Sequence, residues 1–263
     1  MKSILIKSAE EIKHMRIAGK LAAEVLNMIK KYIINNISTE ELDQICHNYI
    51  IQKQKSISAC LGYNGYPKSI CTSVNDVVCH GIPDAKQKLK SGDIINIDIS
   101  IINNGYYSDT SKMFILGKPS ILGQRLCNVA QKSLYLALQI IKPGIPINKI
   151  GQTIESYVNK ENFSVVKEYC GHGIGKNFHE DPQILHYINN DQNIILKPGM
   201  IFTVEPMINA GKPLVKCMKD GWTVKTKDRS LSAQYEHTIL VTKNGCEILT
   251  FRQEENIKKI LIN

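Results

Sequence analysis

Apolar residues recur at helical spacing through the first fifth of the chain. Ser8 followed by Glu11 is a capping-box signature, and the pattern behind it predicts a helix to about Tyr32. Ser38 and Glu41 repeat the signature, and Leu42, Ile45, Cys46, Tyr49 and Ile50 follow at a helical period. After Gln54 the pattern turns to strands and loops, with a strand and hairpin from Asp93 to about Leu116. Helical spacing resumes near Ser120 and runs to about Ile141, where Lys142-Pro143-Gly144 stops it. A second helix is predicted from about Ile147 to Lys160, and strand text returns after Phe163.

The order helix, helix, strands therefore occurs twice, and the wording echoes with it. "LKSGDIINIDIS" at 89–100 returns as "LKPGMIFTVEP" at 196–206, 107 residues later, with Glu205 where Asp98 stood. Leu42–Ile50 aligns with Ile150–Val158 at an offset of 108. His80-Gly81-Ile82 echoes His172-Gly173-Ile174 at an offset of 92. "LKxG" alone is an ordinary turn into a strand, but three echoes in one order point to a duplicated α+β half. No low-complexity linker separates the copies. The expectation is one compact domain over 1–263, with pseudo-symmetric halves of approximately 8–118 and 119–252.

The repeated acids are the chemistry to explain. Ile95, Ile97, Ile99 and Ile101 share one strand face, and Asn96, Asp98 and Ser100 share the other. Asn104-Gly105 is the preferred pair of a two-residue type I′ hairpin, which sets Asn103 against Tyr106 and Ser100 against Asp109. Asp109 then lies diagonally from Asp98 on one face, about 7–8 Å apart at the backbone. A three-residue loop would send it to the other face. The second half brings Glu205, and Glu236 in the alternating segment Gln234–Val241 reads as the partner of Asp109, after about 20 extra residues that include Trp222. His172 in "CGHGIG" adds a nitrogen. Converging carboxylates need a cation, a shared proton or solvent. Asp109 alone reads as a solvated or salt-bridged acid, and His172 alone as a satisfied buried histidine. Together the five suit a pair of divalent metals, with oxygen-rich ligation favouring Mn, Fe or Co over a thiolate zinc site. Two such ions about 3.5–4 Å apart can hold a bridging water, lower its pKa and polarise a carbonyl.

Composition narrows the setting. The 263 residues, 43% of them hydrophobic, suffice for one large core or two small ones. The apolar run at the N-terminus is too short for a signal peptide, and no run of about 18 apolar residues occurs, so a cytoplasmic, non-membrane protein is expected. Eight cysteines contain no C-x-x-C pair and read as reduced core thiols. The net charge of +9 comes from scattered lysines, so no specific nucleic-acid site is expected, though loose attraction to a polyanion such as the ribosome follows from charge alone. "HEDPQ" at 179–183 is not H-E-x-x-H, "GHGIGK" lacks phosphate-loop spacing, and no G-x-S-x-G elbow is present.

"VVCHGIP", "NIDI" with "SDTSKMF", "CGHGIG", "FTVEPM" and "SAQYEHTI" resemble the signature blocks of the type I methionine aminopeptidases, bacterial form, over nearly the whole chain. The resemblance implies a pita-bread fold: α+β, two pseudo-symmetric halves, antiparallel sheet covered by helices. It implies removal of the initiator methionine from nascent polypeptide N-termini, preferentially before a small second residue, by dinuclear metal-hydroxide attack on the first peptide bond. The implied ligands are Asp98, Asp109, His172, Glu205 and Glu236, with Asp109 and Glu236 bridging, and the metals Co, Mn, Fe or Zn. Glu205 would shuttle a proton, His80 would contact substrate near the scissile amide, and His179 would hydrogen-bond the developing oxyanion. Cys60, Tyr63, Tyr66, Cys71, Phe178 and Trp222 would line the methionine pocket, and Asn75, Val77 and Ser232 would mark a monovalent-cation site. The chain lacks the zinc-binding extension of eukaryotic type I relatives, the insertion of type II relatives and the N-terminal domain of prolidase and aminopeptidase P, which favours a short bacterial enzyme, and no long unpaired amphipathic helix argues against a monomer. Two rivals stand: the same fold with X-Pro specificity, and a non-catalytic relative that binds RNA or protein.

Overall fold

The structure is a computed structural model and describes residues 4–192 and 194–262. Four long helices supply the cover: α1 (Ala9–Ile29), α2 (Thr39–Asn48), α3 (Ile121–Ile140) and α4 (Asn148–Lys160). Both predicted capping boxes form. Ser8 and Ser38 each accept from the backbone N–H three residues on, and Glu11 and Glu41 each accept from the cap's own N–H. The helix α1 ends in a 3-10 turn at Lys30–Tyr32, and α2 runs into a π turn at Tyr49–Lys53, so the apolar period outlasts regular α geometry in both.

In the first half, β1 (Cys71–Val74), β2 (Ile94–Asn103) and β3 (Tyr106–Ile115) form an antiparallel sheet with β2 in the middle. Asn104 and Gly105 take φ of 49° and 79°, and the hairpin pairs Asn103 with Tyr106 and Ser100 with Asp109, as the Asn-Gly turn predicts. The isoleucine face packs on Val25, Leu26 and Ile29 of α1 and on Leu42 and Cys46 of α2. The second half adds β4 (Gly171–Gly173), β5 (Glu180–Ile184), β6 (Ile201–Val204), β7 (Met207–Asn209), β8 (Ser232–Gln234), β9 (His237–Val241) and β10 (Cys246–Ile248). Strands β5-β4-β6-β9-β10 make one sheet, whose Phe202, Val204, Ile239 and Val241 pack with α3 and α4 residues such as Leu134, Ile150 and Ile154. Each helix pair thus buries one face of its sheet, and the opposite face carries the acids.

The repeat is written in backbone hydrogen bonds. Leu89 exchanges two with Asn36 and Ile37, and Leu196 exchanges two with Gly144 and Ile145. Gly92 donates to Leu116 and Gly199 to Val241, at 2.7 and 2.9 Å. Gly92 and Gly199 hold φ of 99° and 88°, where a side chain would be strained, so the Lys-x-Gly phrase is a genuine turn in both halves.

Register corrects two details of the sequence reading. Val74 pairs with Ile95 and Gly173 with Phe202, which stands 107 residues after Ile95. The counterpart of Gly173 is therefore Val74, and the His80-Gly echo does not mark equivalent positions. Likewise Ser100 pairs with Asp109 and Met207 with Gln234, so Asp109 corresponds to Gln234. Glu236 lies two residues further, opposite Glu205 as Ser111 lies opposite Asp98. Because side chains alternate with period two, the acid moves one pair along yet stays on the same face. The segment expected as one strand over Gln234–Val241 breaks at Tyr235 and Glu236, and the Glu236 N–H donates instead to Ser111 O at 3.0 Å, joining the halves.

Candidate active site

The hairpin, the sheet edge and the strand break deliver their acids to one place. Ligand atoms of Asp98, Asp109 and Glu236 lie within 4.8 Å of one another. His172 Nε2 is 3.8 Å from Asp109 Oδ2 and 3.8 Å from Glu205 Oε1. All five predicted ligands are therefore brought together. Gly171 and Gly173 flank the histidine because a Cβ at either would stand 2.3 Å from a neighbouring carbonyl, of Thr203 and of Asp181. The imidazole's Nδ1–H donates to the Gly173 carbonyl at 3.0 Å, which aims the Nε2 lone pair at the carboxylates. Asp109 accepts from Ser100 Oγ at 2.8 Å. Glu205 accepts from Thr203 Oγ1 at 2.7 Å and from Gln234 Nε2 at 3.2 Å, and its N–H donates to His186 Nε2 at 3.1 Å.

This set fits divalent cations. Burial pushes His172 down to about 3, so at neutral pH its contacts with Asp109 and Glu205 are acceptor facing acceptor, not ion pairs. Asp98 Oδ1 and Glu236 Oε1 are fully buried without a hydrogen-bond partner. Among the described residues, no lysine or arginine side chain bonds to any of the four carboxylates. Buried, unpaired acceptors of this kind are costly unless a cation joins them. The donors are four carboxylates and one neutral imidazole, a set suited to Mn, Fe or Co.

Burial raises the carboxyls of the metal-free site: Glu205 to about 8, Asp109 to about 6, and Asp98 and Glu236 well above the carboxylate range, each pushed further by neighbouring acids except Asp109, where hydrogen bonds oppose the rise. A group whose folded pKa is raised stabilises the fold fully below its unfolded pKa and loses that contribution as pH rises through the folded value. Half-buried His80 and buried His172, His186 and His237 act oppositely, their lowered pKa values costing stability as pH falls below the ordinary histidine range. The metal-free chain is therefore expected to be most stable near pH 6–6.5, about the unperturbed histidine pKa, and to lose melting temperature from there to about pH 8. Mn(II) should raise the melting temperature more at pH 8 than at pH 6. Calorimetric scans with chelator and with Mn(II) measure this, and a metal-free melting temperature that rises from pH 6.5 to 8 would contradict it.

Over the carboxylates opens a cavity of about 430 Å³. Every residue expected in the methionine pocket lines it: Cys60, Tyr63, Tyr66, Cys71, Phe178 and Trp222, together with His80 and His179. Tyr63 meets Phe178 edge-on at 4.9 Å, and Trp222 meets Tyr66 at 5.1 Å. Phe178 stacks on His179 at 4.6 Å, and Tyr63 OH is 2.7 Å from His179 Nδ1. His80 stands at φ 54°, a backbone outlier of the sort that gathers at functional sites. Asn75 and Ser232 also meet, with the Ser232 N–H donating to Asn75 O at 2.8 Å, and Val77 lies two residues on.

Residues 13–243 match the model of metallopeptidase family M24. The chain belongs to metallopeptidase family M24. It is 67% identical over 261 residues to the methionine aminopeptidase of Buchnera aphidicola subsp. Acyrthosiphon pisum, covering 99% of each chain. The crystal structure of methionine aminopeptidase from Rickettsia prowazekii superposes with a TM-score of 0.92 at 50% identity, covering 95% of this chain and 100% of that one. The Xaa-Pro dipeptidase of Bacillus anthracis shares the fold alone, with a TM-score of 0.74 at 23% identity, over 95% of this chain and 63% of its own. The fold is the pita-bread α+β architecture of the family, and divalent metals are implied with it.

In this M24 peptidase the sequence reading missed Tyr169, Cys170, Gln183 and Met207, which also line the cavity, and His186, Thr203 and Gln234, which orient Glu205. Thr203 and Gln234 each precede a ligand by two residues, so strand alternation places them on the ligand face and could have found them. His186 carried no such signal, because it arrives from the irregular segment after β5.

Proposed function

We propose that this chain removes the initiator methionine from nascent polypeptides, preferentially when the second residue is small. The observation that carries the reading is the join of a five-ligand acceptor cluster to a cavity walled by thiols and aromatic rings, a surface suited to a thioether. Identity to a named methionine aminopeptidase supports it. Asp109 and Glu236 would bridge two divalent ions, Asp98 would complete the shell of one, and His172 with Glu205 that of the other. When bound, such ions supply an activated water and a Lewis acid for the carbonyl.

The chain's own groups do the rest. Glu205, held by Thr203 and Gln234 at the edge of the cluster, would take the proton of the attacking water at its carboxylate and pass it to the leaving amine. Partial desolvation in the cleft, where the exposed ring lies against Phe178 and Tyr63, holds His179 below the ordinary histidine pKa, so it is neutral. Were the Tyr63 hydroxyl, 2.7 Å from Nδ1, to donate to it, the ring proton would sit on Nε2, free to hydrogen-bond the scissile carbonyl as it gains charge. His80, also neutral at about 4, borders the cleft beside Trp222 and would contact the amide.

Co, Mn, Fe and Zn are the candidate metals, to be ranked by activity near cellular concentrations. A monovalent cation at Asn75, Val77 and Ser232 is a lesser part of the proposal. Substrate arrives as a nascent N-terminus in the cytoplasm, and the +9 charge supports loose contact with the ribosome. In this reading the chain acts as a monomer. The purified chain should cleave Met-Ala-Ser and spare an X-Pro peptide, and chelation should abolish cleavage until Mn(II) is restored. Preferential X-Pro cleavage would favour the rival specificity, and failure with both peptides the non-catalytic rival.

A further inference from the structure

Behind the carboxylates lies a polar network that the reaction itself does not use. Arg252 is 2% exposed, and its guanidinium reaches both halves of the molecule. One nitrogen, Nη1, donates to Thr110 Oγ1 at 2.6 Å and to the Glu236 carbonyl at 3.3 Å. The other, Nη2, is 3.1 Å from Glu255 Oε1 and 3.2 Å from His237 Nε2. Thr110 follows Asp109 directly, and its hydroxyl donates to the same Glu236 carbonyl at 2.8 Å. Glu255 is held in turn by the Tyr135 hydroxyl and by Gln131 Nε2 at 3.2 Å.

We infer that Arg252, with Thr110 and Glu255, is the positioning brace that holds the Asp109 strand and the Glu236 break at metal-bridging distance. Two features of the geometry lead there. Asp109 and Glu236 come from different halves, and ordinary β pairing ends where Glu236 begins, so regular sheet does not fix their separation. Both are acids that repel across a few ångströms, and what opposes their parting is hydrogen bonding behind them. A planar five-donor fork can tie four groups at once, which a lysine ammonium on its flexible stem cannot. The guanidinium bonds none of the five proposed ligand side chains, so it supports the site without competing with the cation for their lone pairs.

The inference rests on the metal-centre reading, and the test separates the two. Binding of Mn(II) alone to the metal-free chain is measured by titration calorimetry, with melting curves alongside. Arg252→Met should weaken Mn(II) affinity about 10–100-fold, the usual range for groups that orient metal ligands. Arg252→Lys should not restore it. Thr110→Val, which removes only the hydroxyl, should weaken affinity about fivefold, one hydrogen bond's worth, while Thr110→Ser keeps it. Wild-type affinity in both Arg252→Met and Thr110→Val overturns the brace alone. If Arg252→Met does not fold, the Thr110 pair decides, and equal affinity in Val and Ser overturns it. A wild-type chain that binds no Mn(II) overturns the metal centre and the brace together.

Discussion

Asp109→Asn is expected to lower kcat/KM on Met-Ala-Ser by about 10³-fold or more at saturating Mn(II), since several kcal/mol of charge stabilisation are lost and each 1.36 kcal/mol is tenfold. A carboxylate at this position can present one oxygen to each of two cations. An amide offers one neutral acceptor and an N–H₂ that repels the second ion. The same change has the opposite effect on the empty fold. Asp109 is one of four acids crowded in a buried site, and its charge raises the carboxyls of Asp98, Glu205 and Glu236. Neutralising it should raise the metal-free melting temperature at pH 8. Lost turnover with gained stability cannot come from misfolding. Near-normal turnover at saturating metal would remove Asp109 from the centre.

His179→Ala is expected to lower kcat by about 10²–10³-fold, the size of one lost oxyanion donor, or about 2.7–4 kcal/mol. KM and Mn(II) affinity should change little, because the imidazole is exposed above the cluster and bonds Tyr63, not a ligand carboxylate. Tyr63→Phe should lower kcat less, since it frees the tautomer but leaves the ring in place against Phe178. Steady-state kinetics with Met-Ala-Ser measures both. A His179→Ala enzyme with unchanged kcat and raised KM would make His179 a binding residue and leave the oxyanion to other groups.

Much of the first half was legible because local rules govern it. The two serine caps, the Asn-Gly turn and the four alternating isoleucines each fix geometry within a few residues, and the register they predict for Ser100 and Asp109 is the one observed. The second half was harder to read. Its central strands, β6 and β9, are paired across some thirty intervening residues, so no turn sets their register. Tyr235 and Glu236 read as strand by alternation, yet the chain breaks there to meet Ser111 of the other half. Only the contact between halves could reveal that.

The sequence by itself determined the main helices, the Asn-Gly hairpin and the duplication, because period, caps and turn chemistry are properties of neighbouring residues. Tertiary structure alone decided that Glu236 departs from the repeat by one residue pair, that His80 is no counterpart of His172, and that Arg252 and Thr110 stand behind Asp109 and Glu236. Those facts depend on which backbone groups meet across the two halves. Such meetings are set where the strand of Asp109 and Ser111 comes beside the segment of Glu236 and Thr238 from the other half, and no stretch of a dozen residues encodes them.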